Sequence, residues 1–272
     1  MTTTYAPTAA ATTKSRPTYA ITPARILRAE WHKLWTLRST WITLIGASVA
    51  ILGVGLLMGG TYESGGGDAD VDTVLMTLFG FQLAQIMIAV LGVLVIAGEY
   101  STGMIRSSLT AVPRRLPVLW SKAAVFGTVT FAVTLVTVLV TYPAAQLFFA
   151  GTDQELAFTA PGVIPTLIGA SAGLALMGLI ALGLAAVVRS VPGGIGAFIG
   201  LAMIVPVILD MLPYDAVQDA LKFFPAKALE SLTMLHPTPD AYPSAGGALL
   251  ALTLWAAAAL GGAAVLLKRR DV

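Results

Sequence analysis

Six runs of apolar residues constrain this chain more than any other feature. They fall at about 39–59, 74–97, 122–143, 163–188, 191–210 and 247–267. Each approaches or exceeds the roughly 20 residues that carry an α-helix across a bilayer's hydrocarbon core. Composition points the same way: 57% of residues are hydrophobic and only 11% are charged, whereas a soluble domain is about a quarter charged. So few charges cannot clothe a water-facing surface. The expected fold is an all-α integral membrane protein with six transmembrane helices.

The fourth run is rich in Gly and Ala (GASAGLALMGLIALGLAAVV). Small residues let helix backbones approach closely in lipid, so this helix is expected inside the bundle. Only Arg189 to Gly194 separates it from the fifth run. An arginine is costly at mid-bilayer and Pro-Gly-Gly interrupts a helix, which favours two spans joined by a tight turn. A re-entrant pair is the alternative, although each half is long enough to cross.

Basic residues concentrate on cytoplasmic segments. With the N-terminus inside, every Lys and Arg except Lys222 and Lys227 falls on an inside segment. An odd number of spans would put the terminal Lys268-Arg269-Arg270 outside, so span number and orientation support each other. Both termini are therefore expected in the cytoplasm. Most acidic residues, including Asp72, Asp153, Asp215 and Glu230, fall in the outside loops.

Residues 1–20, rich in Thr, Ala and Pro, read as a disordered cytoplasmic tail without the apolar centre of a signal peptide. Residues 21–272 form the membrane domain. Within it, 22–37 reads as an amphipathic helix lying in the inner interface, with Leu27, Trp31, Leu34 and Trp35 on one face. Between the fifth and sixth spans, 212–242 is too long for a turn. Val217, Leu221 and Phe224 share a helical face that Pro225 ends, and AKALESLTM can form another short helix. This segment reads as a short helical extracellular cap.

No catalytic constellation is visible. The chain has no Cys, hence no disulfide, thiolate metal site or cysteine nucleophile. It has no GxxxxGK[ST], HExxH or GxSxG. His32 and His236 are predicted on opposite sides of the membrane, so no shared metal site is expected. Polar residues within the spans are few. Gln82 and Gln85 lie three apart on the second span, Gln146 near the outer end of the third, and Asp210 at the end of the fifth. The glutamine pair admits two readings, a transport pathway or inter-helix hydrogen bonding.

The segment after the second span, GEYSTGMIRSSLTAVPRR, is the richest in functional residue types. By itself it reads either as a snorkelling basic anchor or as a docking element. It resembles the first cytoplasmic loop of bacterial ABC (ATP-binding-cassette) transporter permeases of the type-2 exporter class, with their Gly-Glu-Tyr, Gly-x-Ile-Arg and Pro-Arg elements. AEWHKLWTLRSTW is similar to their opening E-x-x-K-L-x-x-x-R-S segment, and the layout after about residue 20 follows theirs.

The resemblance implies a permease without catalytic residues of its own, in a bacterial plasma membrane. It would pair with a second permease chain, most simply as a homodimer, and sit among membrane lipid. It would dock a separate ABC-type ATPase subunit that holds ATP and magnesium; no nucleic acid is expected. Residues 99–115 would form the coupling helix, with Glu99, Tyr100, Arg106, Arg114 and Arg115 as contacts. The implied function is ATP-driven export of a hydrophobic or amphipathic substrate. A stand-alone secondary carrier and a membrane anchor or assembly protein are the alternatives.

Overall fold

The computed structural model describes residues 22–62, 71–104 and 115–269. Among them, six helices are long and apolar enough to cross a membrane. An amphipathic helix α1 (Pro23–Thr36) precedes the first span, α2 (Arg38–Thr61). A short α3 (Thr73–Thr77) leads into the second, α4 (Phe81–Ser101). The third and fourth spans are α5 (Arg115–Phe149) and α6 (Val163–Val188). The fifth comprises α7 (Val191–Ile199), a π-helical segment (Gly200–Ile204) and α8 (Val205–Asp210). Two short helices, α9 (Asp215–Leu221) and α10 (Pro225–Ser231), precede the sixth, α11 (Ala245–Arg269).

The Gly- and Ala-rich α6 is the central helix, as its composition predicts. Two thirds (67%) of its most apolar window is buried, against 22% for the fifth span. It packs mainly on α4, α5 and α11. The fifth span leaves Ile204, Val207 and Ile208 exposed. The third span is the longest at 35 residues, with Pro143 inside it. At about 1.5 Å per residue it is roughly 52 Å long, well beyond a ~30 Å hydrocarbon core. Its first turns, which carry Lys122, therefore extend toward the end of the bundle that also holds Arg189, Lys268 and Arg269. We call this the basic end.

Three expectations need correction. The second run, 74–97, is not one helix. The Asp72 carboxylate caps α3 by accepting from the backbone N–H groups of Val74 and Leu75 (2.9 and 3.1 Å). The chain then turns at Gly80, where a Cβ would lie only 2.7 Å from the Ile51 Cα of α2. The span thus starts at Phe81 and continues to Ser101, so Glu99 and Tyr100 belong to its last turn rather than to a loop.

The buried seam of α1 is Ile26, Glu30 and Leu34. Leu27 and Trp31, expected on the same face as Leu34, are exposed. The helix is turned so that Glu30 rather than Trp31 enters the bundle, because its carboxylate finds a partner there.

The segment before the last span is helical, but Pro225 opens α10 rather than only closing the helix before it. Proline suits the first helical position, where its missing N–H costs no hydrogen bond. Nor does α10 sit only on top of the bundle: it packs on α6, α11 and the π-helical segment. Leu229 and Leu232 fill the space left by Gly173, where a Cβ would lie 2.9 and 2.8 Å from their methyl groups. Gly173 is ten residues into α6, roughly 15 Å along it, so α10 is a wedge let down between the spans.

Candidate functional site

Charged side chains from three helices meet at the basic end. Glu30 and Lys33 lie one turn apart on α1, Glu99 is near the end of α4, and Lys122 is in the early turns of α5. The Lys122 ammonium donates to Glu30 Oε2 at 2.6 Å and to Glu99 Oε1 at 2.7 Å. Lys33 also pairs with Glu99 Oε1, and its Nζ lies 3.7 Å from Glu30 Oε1. Two carboxylates and two ammonium groups thus alternate in sign, and each charge faces its opposite.

The cluster is dry. Glu99 and Lys122 are each 3% exposed. The crevice beside them, walled by Leu34, Val95 and Phe126, measures only about 10 Å³, room for one water at most. Charges buried this way are stable only while paired, since removing one partner strands the others. One acceptor remains open: Glu99 Oε2 is buried without a hydrogen-bond partner among the described residues.

A second contact lies nearby. Arg189 closes α6 in the left-handed conformation (φ 60°). Its guanidinium carbon sits 5.5 Å from the centre of the Tyr100 ring, within cation–π range. The α4 end therefore touches both α1 and α5 through Glu99, and the turn between the fourth and fifth spans through Tyr100.

The sequence-predicted site residues divide accordingly. Glu99 and Tyr100 stand at the basic end, but the Glu99 carboxylate points into the bundle and is engaged by Lys33 and Lys122. It does not present itself to a docking partner. Arg106, Arg114 and the side chain of Arg115 lie outside the described residues, as does the middle of the proposed coupling helix. Gln82 and Gln85 lie on α4 toward the opposite end and bond to each other, Gln85 Nε2 donating to Gln82 Oε1 at 3.0 Å. Gln146 accepts from the backbone N–H of Leu156 at 3.0 Å. Among the described residues no group of His, Cys, Asp or Glu is arranged to hold a metal.

Glu30, Lys33 and Lys122 are site residues that sequence reasoning missed. A signal existed: Glu30 and Lys33 are the charged pair of the E-x-x-K-L element, and Lys122 is a lone charge at the edge of an apolar run.

Fold and site together define a multi-pass membrane protein whose N-terminal helix and second and third spans are tied at one end by a buried charge cluster. Searches against protein-family models and curated proteins give no match.

Proposed function

We propose that this chain is the transmembrane permease subunit of an ATP-driven ABC exporter. It moves a hydrophobic or amphipathic substrate out of the cytoplasm or inner leaflet, powered by an ATPase on a separate polypeptide. The basic end is the cytoplasmic face of a bacterial plasma membrane. The observation that carries this reading is how the ends of segment 105–114 are held. That segment leaves α4 shortly after Glu99 and enters α5 shortly before Lys122, and both residues are locked to α1 by the charge cluster. A force on 105–114 therefore reaches α1 and two spans together.

ATP binding closes an ATPase dimer and pulls the docked segment; hydrolysis releases it. Such a ligand shifts the permease only through contacts that differ between the two states. An ion-pair cluster whose members sit on separate helices is suited to that, because partners exchange when the helices shift. Arg106, Arg114 and Arg115 are the candidate docking residues, and Glu99 serves as an internal brace. The uncovered apolar face of the fifth span suits a second permease chain or lipid.

Purification of the tagged chain from its native membrane in a mild detergent tests this. The expected result is a P-loop ATPase at about one per permease chain, an occupancy that requires tight binding. An intact chain without such a partner transfers the weight to a stand-alone carrier or anchor. The double variant Arg114→Ala/Arg115→Ala should insert normally while losing the co-purifying ATPase.

A further inference from the structure

A groove of about 350 Å³ lies between α2 and α5 and begins beside the end of α1. Close-packed protein leaves few voids larger than a water molecule, so a groove of this size is not a packing fault. Its walls include Ile45 and Val49 of α2 and Val136 and Val140 of α5, each more than half exposed. It therefore opens sideways, onto the hydrocarbon of the bilayer. The two hydroxyls that line it are already used. Thr137 donates to the Val133 carbonyl at 2.8 Å, so Ser48 donates to Thr137 at 2.9 Å. From Trp41 to Leu52 the groove follows α2 for about 16 Å at 1.5 Å per residue. That is about half of a ~30 Å hydrocarbon core, the depth of one leaflet.

The walls and the mouth together say what fits. The walls have no Gly or Ala, the residues that let a second transmembrane helix come close. Bulky aliphatic walls leave a slot for a flexible chain instead. At the mouth, Trp31, Trp35 and Trp41 form a ladder with ring centres 5.5 and 4.8 Å apart. The Trp41 indole donates to the Trp35 carbonyl at 3.0 Å. Tryptophan favours the level of the headgroups, so the ladder marks where a lipid's chains give way to its headgroup. Arg38 lies three residues before Trp41 and seven before Ile45, one turn outside the groove on the same helical stripe. It is exposed and forms no ion pair among the described residues. Arg28 holds the matching place on α1, seven residues before Trp35. Neither stripe carries an acidic residue.

We propose that this groove holds one acyl chain of an anionic phospholipid whose phosphate is met by Arg38. A guanidinium matches phosphate oxygens with a two-pronged fork of N–H donors. A zwitterionic lipid offers the same phosphate but brings a cation of its own, which Arg38 and Arg28 repel. Seated this way, the lipid touches α1, α2 and α5 and closes their seam from the bilayer side, while the charge cluster ties α1 to α5 from within. The site holds whether or not the chain is an exporter.

The test uses the full chain in phosphatidylcholine nanodiscs. Phosphatidylglycerol or phosphatidylcholine with the same brominated acyl chains is mixed in, and tryptophan fluorescence is followed, because bromine quenches an indole on contact. Brominated phosphatidylglycerol should reach half-quenching at an about fivefold lower mole fraction, the range for one basic residue beside an anionic headgroup. Arg38→Gln should remove most of that preference. Val49→Phe/Val136→Phe, which fills the groove and alters no charge, should remove it as well. Equal quenching by the two lipids in wild-type protein overturns the proposal without requiring any variant to fold. So does a preference that keeps its wild-type size in folded Arg38→Gln or in the filled protein, since the anionic lipid then sits at other cations of the basic end. Indoles that neither lipid quenches would mean that a second copy covers the groove, and overturn it too.

Discussion

At the basic end, helices are joined by side-chain charges that meet one another; at the far end, the joints are between neutral groups or a carboxylate and neutral donors, and several run from side chains to backbone. Asp72 shows the second kind. One carboxylate oxygen caps α3, and the other accepts from the N–H groups of Leu235 and His236 at 2.7 and 3.0 Å. Gln154 donates to the Val71 carbonyl at 3.1 Å and pairs with Thr73. Ser231 donates to the Pro243 carbonyl at 2.7 Å. Backbone partners are fixed by the fold, so these joints have one arrangement. Charged side chains on separate helices can exchange partners as the helices move. The difference assigns rigidity to the far end and a capacity to switch to the basic end.

The sharpest way to break this comparison is Lys122→Leu. It leaves the buried Glu30 and Glu99 facing each other, with only Lys33 to balance them. The expected loss is about 3–5 kcal/mol, read as a fall in the thermal midpoint of the detergent-solubilised chain. Adding Glu30→Gln should restore most of it, because Lys33 and Glu99 then remain as one balanced pair. An unchanged midpoint in the single variant would mean that the cluster is not buried in the working protein.

Asp72→Ala should cost less, about 2 kcal/mol, the upper range for losing a helix cap. Its effect should also stay local. Hydrogen exchange should quicken over 73–77 and 232–236 while α1 remains protected. Spread of the effect to α1 would show that the two ends are not independent. Gly173→Ile probes the wedge between them. The added side chain meets Leu229 and Leu232 and should cost about 1–3 kcal/mol by overpacking. It should also displace α10, read as faster hydrogen exchange over 225–231 while α1 stays protected.

Spans were legible in the sequence because length and apolarity are local properties. The fourth, 163–188, matches its helix end for end, and its Gly and Ala content announced a central place. The break at Leu78–Gly80 was hidden because the apolar residues of 74–97 run on across it with no charge or proline to mark it; what ends α3 is the close pass over Ile51, a tertiary contact. The buried face of α1 was misread for a related reason. Periodicity ranks Trp31 above Glu30 as an inward residue, and only Lys122, far along the chain, reverses that order. The charge cluster was therefore only half visible: Glu99 stood in a recognisable motif, while the cations that hold it looked like topology signals. The wedge of α10 was hidden likewise, since Gly173, which admits Leu229 and Leu232, lies far from them along the chain.

The smallest expected effect concerns Tyr242, whose hydroxyl donates to Glu230. Burial, then the hydrogen bond to Glu230 and its negative charge, push this phenol well above its usual range. A raised phenol pKa means that the folded state favours the neutral form. The associated stability is therefore complete below the ordinary phenol pKa of about 10 and is lost as pH rises beyond it. Tyr242→Phe should lower the thermal midpoint slightly, by the equivalent of about 1 kcal/mol or less for one partly exposed hydrogen bond. That difference should hold steady through neutral pH and shrink only above about pH 10. A difference that stayed constant well above pH 10 would mean that the Glu230 contact does not hold the phenol neutral.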